Sequence, residues 1–324
     1  MSSRKSRSSV QRSRLGKRFL WLIYALYILA FIVYLYAPLA VTGILSFNDN
    51  SIPSFPWKGA TLDWYYNPEY QSGVAGADEA SAGGIGTGAS GGNMGVFNDV
   101  NMLASIKNSF IVAVAVTALS VIVGVSTAFL FERNQFFGDR ILYFIMIAPL
   151  VIPGVILGVS IVSYAHSIAV FFREIFGRDL VRPFTNLLRP GLFIVTLGQF
   201  AWIATLATMI IGARLRRFPV VQEDAAMDLG ASRMRAVFSV TIPYLVPALF
   251  SAGIVAFMLS FENFGTTLFL IGADPTLPIL FFSRLRFSVT PEINAVSLVL
   301  MAGTVILGIV ALGLGQLRKY TIGE

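Results

Sequence analysis

Cysteine is absent from the 324 residues, and histidine occurs only once, at His166. These absences exclude disulfide scaffolds, thiolate metal sites, cysteine nucleophiles and zinc sites built from several histidines. Charged residues are also scarce: they form 13% of the chain, against roughly 25% in a soluble globular domain. The function classes that remain do not depend on sulfur chemistry or on clustered metal ligands, and no cofactor is expected.

Apolar residues, in contrast, make up 56% of the chain. One soluble core of this length does not need so many, so the composition indicates a membrane protein. Small residues recur at helix-packing spacing, Gly124 with Ala128 and Gly154 with Gly158, as expected for a multi-helix bundle. Each apolar run is near the roughly 20 residues that a helix needs to cross a bilayer core. The sequence therefore predicts an all-α membrane protein with six transmembrane helices, over residues 19–47, 109–131, 141–165, 191–213, 244–262 and 293–316.

The distribution of Lys and Arg predicts how these spans are oriented. Segments on one side of the six spans carry sixteen basic residues, and segments on the other side carry eight. Because positively charged loops resist translocation, the richer side is predicted to be cytoplasmic, with both termini there. Residues 1–18, with seven basic residues and no acid, are expected to be a disordered tail, and residues 317–324 a second tail. A cleaved signal peptide is disfavoured, because the apolar run that follows is too long for its core.

The first predicted outer loop, residues 48–108, has two textures. Its aromatic-rich stretch 53–70 is expected to be ordered, with Trp57 and Trp64 suited to a membrane interface. Residues 71–95 hold nine glycines and eight Ala or Ser residues. Such a composition cannot bury enough surface to offset its ordering entropy, so this part is expected to be a flexible insertion without chemistry.

The second predicted outer loop, residues 166–190, conflicts with the charge rule. It contains four arginines on the side that should be poor in them. We expect its apolar run 168–176 to lie along the membrane interface. His166, at the outer end of the third span, is expected to be structural, since no partner is at hand to make it a shuttle or a ligand.

Catalytic and energy-converting motifs are missing from the chain. There is no G-x-x-x-x-G-K-[ST] phosphate loop, no H-E-x-x-H zinc motif and no Ser-His-Asp set that could use the single histidine. The chain is therefore predicted not to be an enzyme, and its energy must come from a partner or from an ion gradient. A carrier driven by a gradient would need ionisable residues inside its spans, and these spans contain almost none.

Five residues are candidates for a translocation path. Glu262 is the exception to the lack of intramembrane charge, and it lies 18 residues after Tyr244, or roughly 27 Å along a helix. That position is near the outer edge of the bilayer. There the carboxylate can either be hydrated at the interface or line the translocation path, and the sequence leaves both interpretations open. Asn263 and Phe264 adjoin it, and Pro149 and Pro153 in the third span can form either gating bends or packing kinks.

The segment 214–243 is polar where its neighbours are apolar. Pro219 and Pro243 punctuate it and Gly230 divides it, which predicts two short helices with a bend. Glu223 and Asp224 suit the positive end of the first helix dipole. Gly230 fits the position just after a helix C-terminus, and Ser232 can cap a second helix through Phe238. The small side chains of Ala225 and Ala226 give the first helix a face that can enter a groove on a partner.

The spacing within this segment resembles a family motif. Asp224-Ala-Ala, three residues, Gly230, nine residues and Val240-x-Ile-Pro243 are similar to the E-A-A-x3-G-x9-I-x-L-P loop of ABC importer permeases. The resemblance implies that this loop is a coupling helix that docks on a cytoplasmic ATPase. The implied coupling residues are Glu223, Asp224, Ala225, Ala226, Asp228, Gly230, Ala231, Ser232, Arg233 and Pro243. Asp for Glu, Val for Ile and Ile for Leu are departures of a conservative kind.

Other stretches look like the spermidine/putrescine permease subfamily, with the insertion 71–95 and the basic loop 166–190 as departures. The stretches that carry this resemblance are 55–66, 108–109, 149–160, 276–278 and 286–297. The resemblance implies a type I ABC importer permease fold and transport by alternating access. It also implies a multi-pass protein of the bacterial inner membrane. Implied partners are a second permease, two ATPase subunits and an extracytoplasmic solute-binding protein. The implied cargo is a polyamine, with iron, sulfate or a phosphonate as alternatives; a gradient-driven carrier or channel acting alone is the rival function.

Overall fold

The described residues of the chain fold mainly into helices, as expected where lipid offers no hydrogen-bond partners to the backbone. The computed structural model describes residues 3–50, 53–66, 95–134, 136–287 and 291–322, and the side chains of these residues except 3–19, 178, 179, 287 and 307–322. The helices are α1 (Ser3–Leu45), α2 (Asp63–Tyr66), α3 (Val100–Arg133), α4 (Asp139–Val151), α5 (Gly154–Phe176), α6 (Arg178–Leu187), α7 (Leu192–Leu215), α8 (Val221–Asp228), α9 (Arg233–Ala236), α10 (Ile242–Phe261), α11 (Thr267–Leu270), α12 (Leu277–Phe287) and α13 (Pro291–Ile322).

Within the described residues, five helical segments are long and apolar enough to cross a membrane. They are Leu20–Leu45, Val100–Arg133, Gly154–Phe176, Leu192–Leu215 and Arg233–Phe261. Four of them coincide with or overlap the spans predicted at 19–47, 109–131, 191–213 and 244–262. The sixth predicted span, 293–316, lies within α13, whose apolar part with described side chains is Pro291–Ile306.

The third predicted span, 141–165, is wrong in its bounds. The chain breaks at Ile152 and Pro153, so that α4 and α5 are separate helices. The fixed φ of proline and its missing N–H explain why a helix ends here and a new one begins. The run 168–176, expected along the interface, instead belongs to α5, and His166 lies exposed within α5 instead of at a helix end.

Two expectations for the ends of the chain also change. The helix α1 begins at Ser3, so the backbone of the basic tail is helical instead of disordered. At the other end α13 continues to Ile322, within the predicted second tail. The insertion predicted at 71–95 lies outside the described residues apart from Gly95.

The chain divides into two compact units, the first of which contains α1, α2 and α13. In it, Gly43 on α1 faces Leu298 on α13 closely enough that a Cβ would meet the leucine at 3.5 Å. The described part of the aromatic stretch, residues 53–66, is ordered as predicted. Trp64 is buried and donates its indole N–H to the backbone oxygen of Asn48 at 3.0 Å, so its ring packs inside the protein.

The second unit contains α3 to α12 and is built around α7. Twelve residues of α7 are buried, more than in any other helix with described side chains. It packs on α3 where Gly124 is so close that a Cβ would lie 3.1 Å from the Cβ of Ala207. This contact confirms the predicted role of the Gly124–Ala128 pair in helix packing. Because α7 has 24 residues, its two ends are about 36 Å apart, and they carry different sites.

Candidate functional site

The end of α8 has the geometry that the sequence predicts. Gly230 adopts a φ of +90°, its N–H donates to the oxygen of Met227 at 2.8 Å, and the N–H of Ala231 donates to the oxygen of Ala226 at 3.1 Å. This pair of bonds is a Schellman motif, which satisfies carbonyl groups at a helix C-terminus and reverses the chain. A glycine is favoured here because a side chain is strained at positive φ.

The second helix also starts as predicted, at Ser232, but it does not end near Phe238. Ser232 caps α9 by accepting the N–H of Arg235 at 3.4 Å. The chain then runs through a π-helical turn, Val237–Thr241, directly into α10. Pro243 does not break the helix, and the π-helical turn lies directly before it. The polar segment is therefore joined to the fifth span by continuous helix.

The outer surface of α8 and α9 is more apolar than the two alanines suggested. Large side chains are exposed on it: Val221 by 73%, Leu229 by 91%, Met234 by 67% and Phe238 by 63%. Such a group of exposed apolar side chains beside a charged surface is typical of a protein interaction site. Of the predicted coupling residues, Asp224, Ala225, Asp228, Gly230, Ser232, Arg233 and Pro243 are exposed, and Glu223, Ala226 and Ala231 are partly buried.

Glu223 faces the bundle instead of the solvent. Its Oε1 accepts a hydrogen bond from Nη2 of Arg133 at 2.9 Å, and another from the hydroxyl of Thr241 at 2.5 Å. The side chains of Glu223 and Arg133 are only 12% and 15% exposed, and Thr241 is fully buried. One carboxylate oxygen thus joins α8 to the end of α3 and to the π-helical turn.

Aromatic rings complete the surroundings of this ion pair. The guanidinium of Arg133 lies 5.5 Å from the centre of the Phe218 ring, and that ring lies 5.1 Å from Tyr244. Arg214, in the last turn of α7, stacks on Tyr244 at 4.4 Å and donates its Nε–H to the backbone oxygen of that tyrosine. Guanidinium groups interact favourably with ring faces, so α3, α7 and α10 meet here in one polar-aromatic junction.

A second ion pair lies next to the first and does not involve α8. Arg216 donates two hydrogen bonds to Glu132, from Nη2 at 2.6 Å and from Nε at 3.0 Å. The bond to the carboxylate raises the pKa of Arg216 above its usual value, so the arginine stays charged. Its side chain is 70% exposed, and a solvated pair of this kind contributes at most about 1 kcal/mol to stability.

The candidate path residues Glu262, Asn263 and Phe264 lie at the C-terminal end of α10. Glu262 is the C-cap residue of α10 and is exposed. Asn263 turns inward and accepts both the N–H and the hydroxyl of Thr267, at 3.2 and 2.9 Å, which makes it a support of α11. The ring of Phe264 packs on Phe282 with centres 4.9 Å apart. Of these three side chains, that of Glu262 is exposed, whereas those of Asn263 and Phe264 are partly buried.

A buried amide that the sequence reading missed holds this turn. Gln199 of α7 is 1% exposed, donates to the hydroxyl of Thr267 at 2.8 Å and accepts from the hydroxyl of Ser260. With Asn263 these groups form one hydrogen-bonded chain that ties α7, α10 and α11. The available signal was a lone glutamine in an apolar run, because a polar side chain inside a membrane span needs a partner.

Pro149 and Pro153 lie beside the break between α4 and α5. A largely apolar groove of about 640 Å³ opens there, lined by Val151, Ile152, Pro153, Ile156, Leu157, Ser160, Ile161 and Tyr164. Across the helix from it, Gly158 touches the turn after Glu262 so closely that a Cβ would lie 2.6 Å from the oxygen of Thr266. The second predicted small pair, Gly154 with Gly158, thus forms a packing contact, and the groove and the Glu262 turn share α5.

Comparisons with known proteins place this arrangement among transport systems. Residues 120–317 match the family described as "binding-protein-dependent transport system inner membrane component". The chain is 29% identical over 284 residues to the putrescine transport system permease protein PotI of Escherichia coli K12, covering 86% of this chain and 85% of that one.

More distant relatives agree. The chain is 24% identical over 293 residues to the spermidine/putrescine transport system permease protein PotC of Haemophilus influenzae, covering 90% and 93% of the two chains. It also resembles a chain in the crystal structure of a bacterial ABC transporter involved in the import of the acidic polysaccharide alginate. That likeness has a TM-score of 0.59 at 15% identity over 93% of this chain and 97% of that one, and it concerns the fold.

Proposed function

The chain belongs to the family of inner membrane components of binding-protein-dependent transport systems, and from that premise we propose that it drives import by ATP-powered alternating access. As an ABC importer permease it is a transport subunit of the type I fold and not an enzyme, and it is a multi-pass inner-membrane protein. The all-α fold predicted from the sequence is confirmed. What remains to propose is how it is driven, with which subunits, and for which cargo.

The observation that carries the proposal is the surface of α8 and α9. Four large apolar side chains are exposed along α8, α9 and the π-helical turn, through which α9 continues without a break into a membrane span. An apolar helix face fits a groove on a partner, and a helical connection to the span offers a route for the partner's movement. We assign this surface to docking on an ATPase subunit, with Asp224, Ala225 and Gly230 at its centre.

The remaining partners follow from the same assignment. We propose a complex of this permease, a second permease, two ATPase subunits and an extracytoplasmic solute-binding protein. Docking on a cytoplasmic ATPase requires the α8 end of α7 to be the inner end. The N- and C-termini are then proposed to be cytoplasmic, in agreement with the excess of Lys and Arg on that side.

The proposed cargo is a polyamine or another small organic cation. Two relatives named for putrescine and spermidine transport support this choice. A cation would meet the exposed carboxylate of Glu262 at the outer end of the bundle and the groove beside Pro153. Because the groove is lined mainly by apolar groups, it suits the methylene chain of a polyamine better than it suits a compact hydrated ion.

The proposal is tested by purifying the chain in mild detergent with the products of its neighbouring genes and assaying the reconstituted complex. An ATPase subunit should co-purify, and ATP-dependent uptake of radiolabelled putrescine should appear when the solute-binding protein is added. Unlabelled spermidine should compete, whereas molybdate, sulfate and ferric iron should not. Uptake without ATP would overturn the driving mechanism; uptake of an anion instead would overturn only the cargo.

A further inference from the structure

Glu223 was expected on the docking surface, but its carboxylate points away from that surface into the protein. Its side chain is 12% exposed, whereas the next residue, Asp224, is exposed. A carboxylate in this position contributes little to a contact with a partner. Its place among buried groups requires a different role.

The two hydrogen bonds of Glu223 lead to the two elements that α8 would have to move. Arg133 is the last residue of α3, and Thr241 is the last residue of the π-helical turn that precedes α10. We infer that Arg133, Glu223 and Thr241 form a latch that fixes the docking helix to the second and fifth spans, with Glu223 as a positioning residue of the transport cycle. This inference rests on the proposed docking function of α8.

Burial makes the latch specific. Removal of one partner from an ion pair this buried is costly, because a desolvated charge is left without a counter-charge. Within the described residues Nε of Arg133 is buried and has no hydrogen-bond partner, so the guanidinium depends on Glu223 for charge compensation. The hydroxyl of Thr241, which is fully buried, has its hydrogen bond to the same carboxylate.

The position of the π-helical turn supports the same role. Turns of this type are rare and occur often at functional sites, because one extra residue weakens the regular hydrogen-bond ladder. A helix that is weak at this turn needs an external contact to transmit a push from α8 to α10. Glu223 supplies that contact at Thr241, and Arg133 transmits the same push to α3.

The neighbouring ion pair of Glu132 and Arg216 provides a matched control. Glu132 precedes Arg133 in the chain, and its partner lies at the same end of the bundle. Arg216 is 70% exposed, and its hydrogen bonds to Glu132 do not involve α8. A general loss of charge or stability at this end would follow from Glu132→Gln as well, whereas loss of the latch would not.

The absence of cysteine allows the latch to be tested by spin labels without removing native thiols. Labels at Asp228→Cys on α8 and Arg140→Cys on α4 report the distance between α8 and the bundle in the purified chain. Glu223→Gln and Thr241→Val are expected to broaden this distance distribution, while Thr241→Ser and Glu132→Gln leave it narrow. A narrow distribution in both Glu223→Gln and Thr241→Val overturns the latch, whatever the ATPase does.

The second measurement uses the whole complex. Glu223→Gln and Thr241→Val should retain the ATPase through purification but lower hydrolysis stimulated by the binding protein severalfold. Thr241→Ser and Glu132→Gln should match the unaltered complex, and Arg133→Glu with Glu223→Arg should recover activity relative to Arg133→Glu alone. Unchanged stimulation in both Glu223→Gln and Thr241→Val overturns the role in transmission. Failure of the unaltered chain to retain any ATPase refutes the docking function instead.

Discussion

Neighbouring residues of similar chemistry do different work in this protein. Glu223 and Asp224 are adjacent acids that share a helical turn, yet one is enclosed by Arg133 and Thr241 and the other is exposed. Asn263 and Glu262 are also adjacent, and one supports α11 while the other faces outward. Side-chain identity alone therefore does not assign a role; the direction in which each residue leaves its helix does.

Removal of the negative charge at Glu262 is expected to weaken uptake of a cationic substrate. Glu262→Gln should raise KM for putrescine in proteoliposomes by roughly tenfold, which corresponds to about 1.4 kcal/mol of lost attraction. Because Glu262 is exposed, the amount of folded complex should not change.

Asp274→Asn is the control, since Asp274 is another exposed carboxylate in the loop between α11 and α12. Its KM should stay at the value of the unaltered complex. An unchanged KM in Glu262→Gln, or equal rises in both variants, would remove Glu262 from the proposed path.

At the scale of elements, two glycines have the same backbone conformation. Substituting each of them distinguishes the effect of backbone strain from an effect on docking. Gly230 has a φ of +90° after α8, and Gly138 has a φ of +89° before α4. No atom lies within 4 Å of a Cβ built at either position, so alanine is strained equally at both. That backbone strain amounts to about 1–2 kcal/mol in each case.

Gly230→Ala is expected to reduce retention of the ATPase and uptake, whereas Gly138→Ala leaves both unchanged. The reason is that Gly230, unlike Gly138, sets the angle between α8 and α9, the two helices of the proposed docking surface. Gly230→Pro should abolish uptake outright, because proline cannot reach a positive φ and removes the N–H that donates to Met227. Membrane insertion, measured by immunoblotting of membranes, should remain normal; wild-type uptake by Gly230→Pro would refute the docking assignment.

The short helices of the docking segment were predictable from sequence because their signals are local. Gly230 and Ser232 act through hydrogen bonds to residues within five positions, so the residue types carry the geometry. The partners of Glu223 were not predictable in this way, since Arg133 lies 90 residues away and meets it only after α3 and α8 have packed. The π-helical turn and the break before Pro153 were missed because hydropathy runs straight through both.

At the scale of the whole molecule, α7 separates two working ends. The ion pairs of Arg133 and Arg216 lie at its C-terminal end, and the turn that carries Glu262 is held to its N-terminal half by Gln199. Import requires that events at one end change the other end, and buried α7 supplies a common support for both. The sequence predicted the two ends as separate features; their connection through Gln199 required the fold.

Labelling from one side of the membrane should confirm the proposed orientation. In the cysteine-free chain, Asp274→Cys should react with a membrane-impermeant maleimide added to intact spheroplasts, and Arg217→Cys should react only after permeabilisation. Both residues are exposed, and they lie near opposite ends of α7. The reverse pattern would contradict the assignment of the arginine-rich end to the cytoplasm.

The π-helical turn has a consequence for the phase of the helix in which it lies. Buried residues of the fifth span recur every three or four positions, at Leu245, Ala248, Ala252, Ala256 and Ser260, but the step from Ala236 to Thr241 is five. In a regular α-helix a five-residue step would turn one of these two side chains toward the outside. The wider winding of the π-helical turn therefore keeps Ala236 and Thr241 on one buried face. Loss of one residue between them would leave a four-residue step, which a regular α-helix also keeps on one face. The wide winding of this turn thus accommodates one more residue while its buried face stays aligned with that of α10.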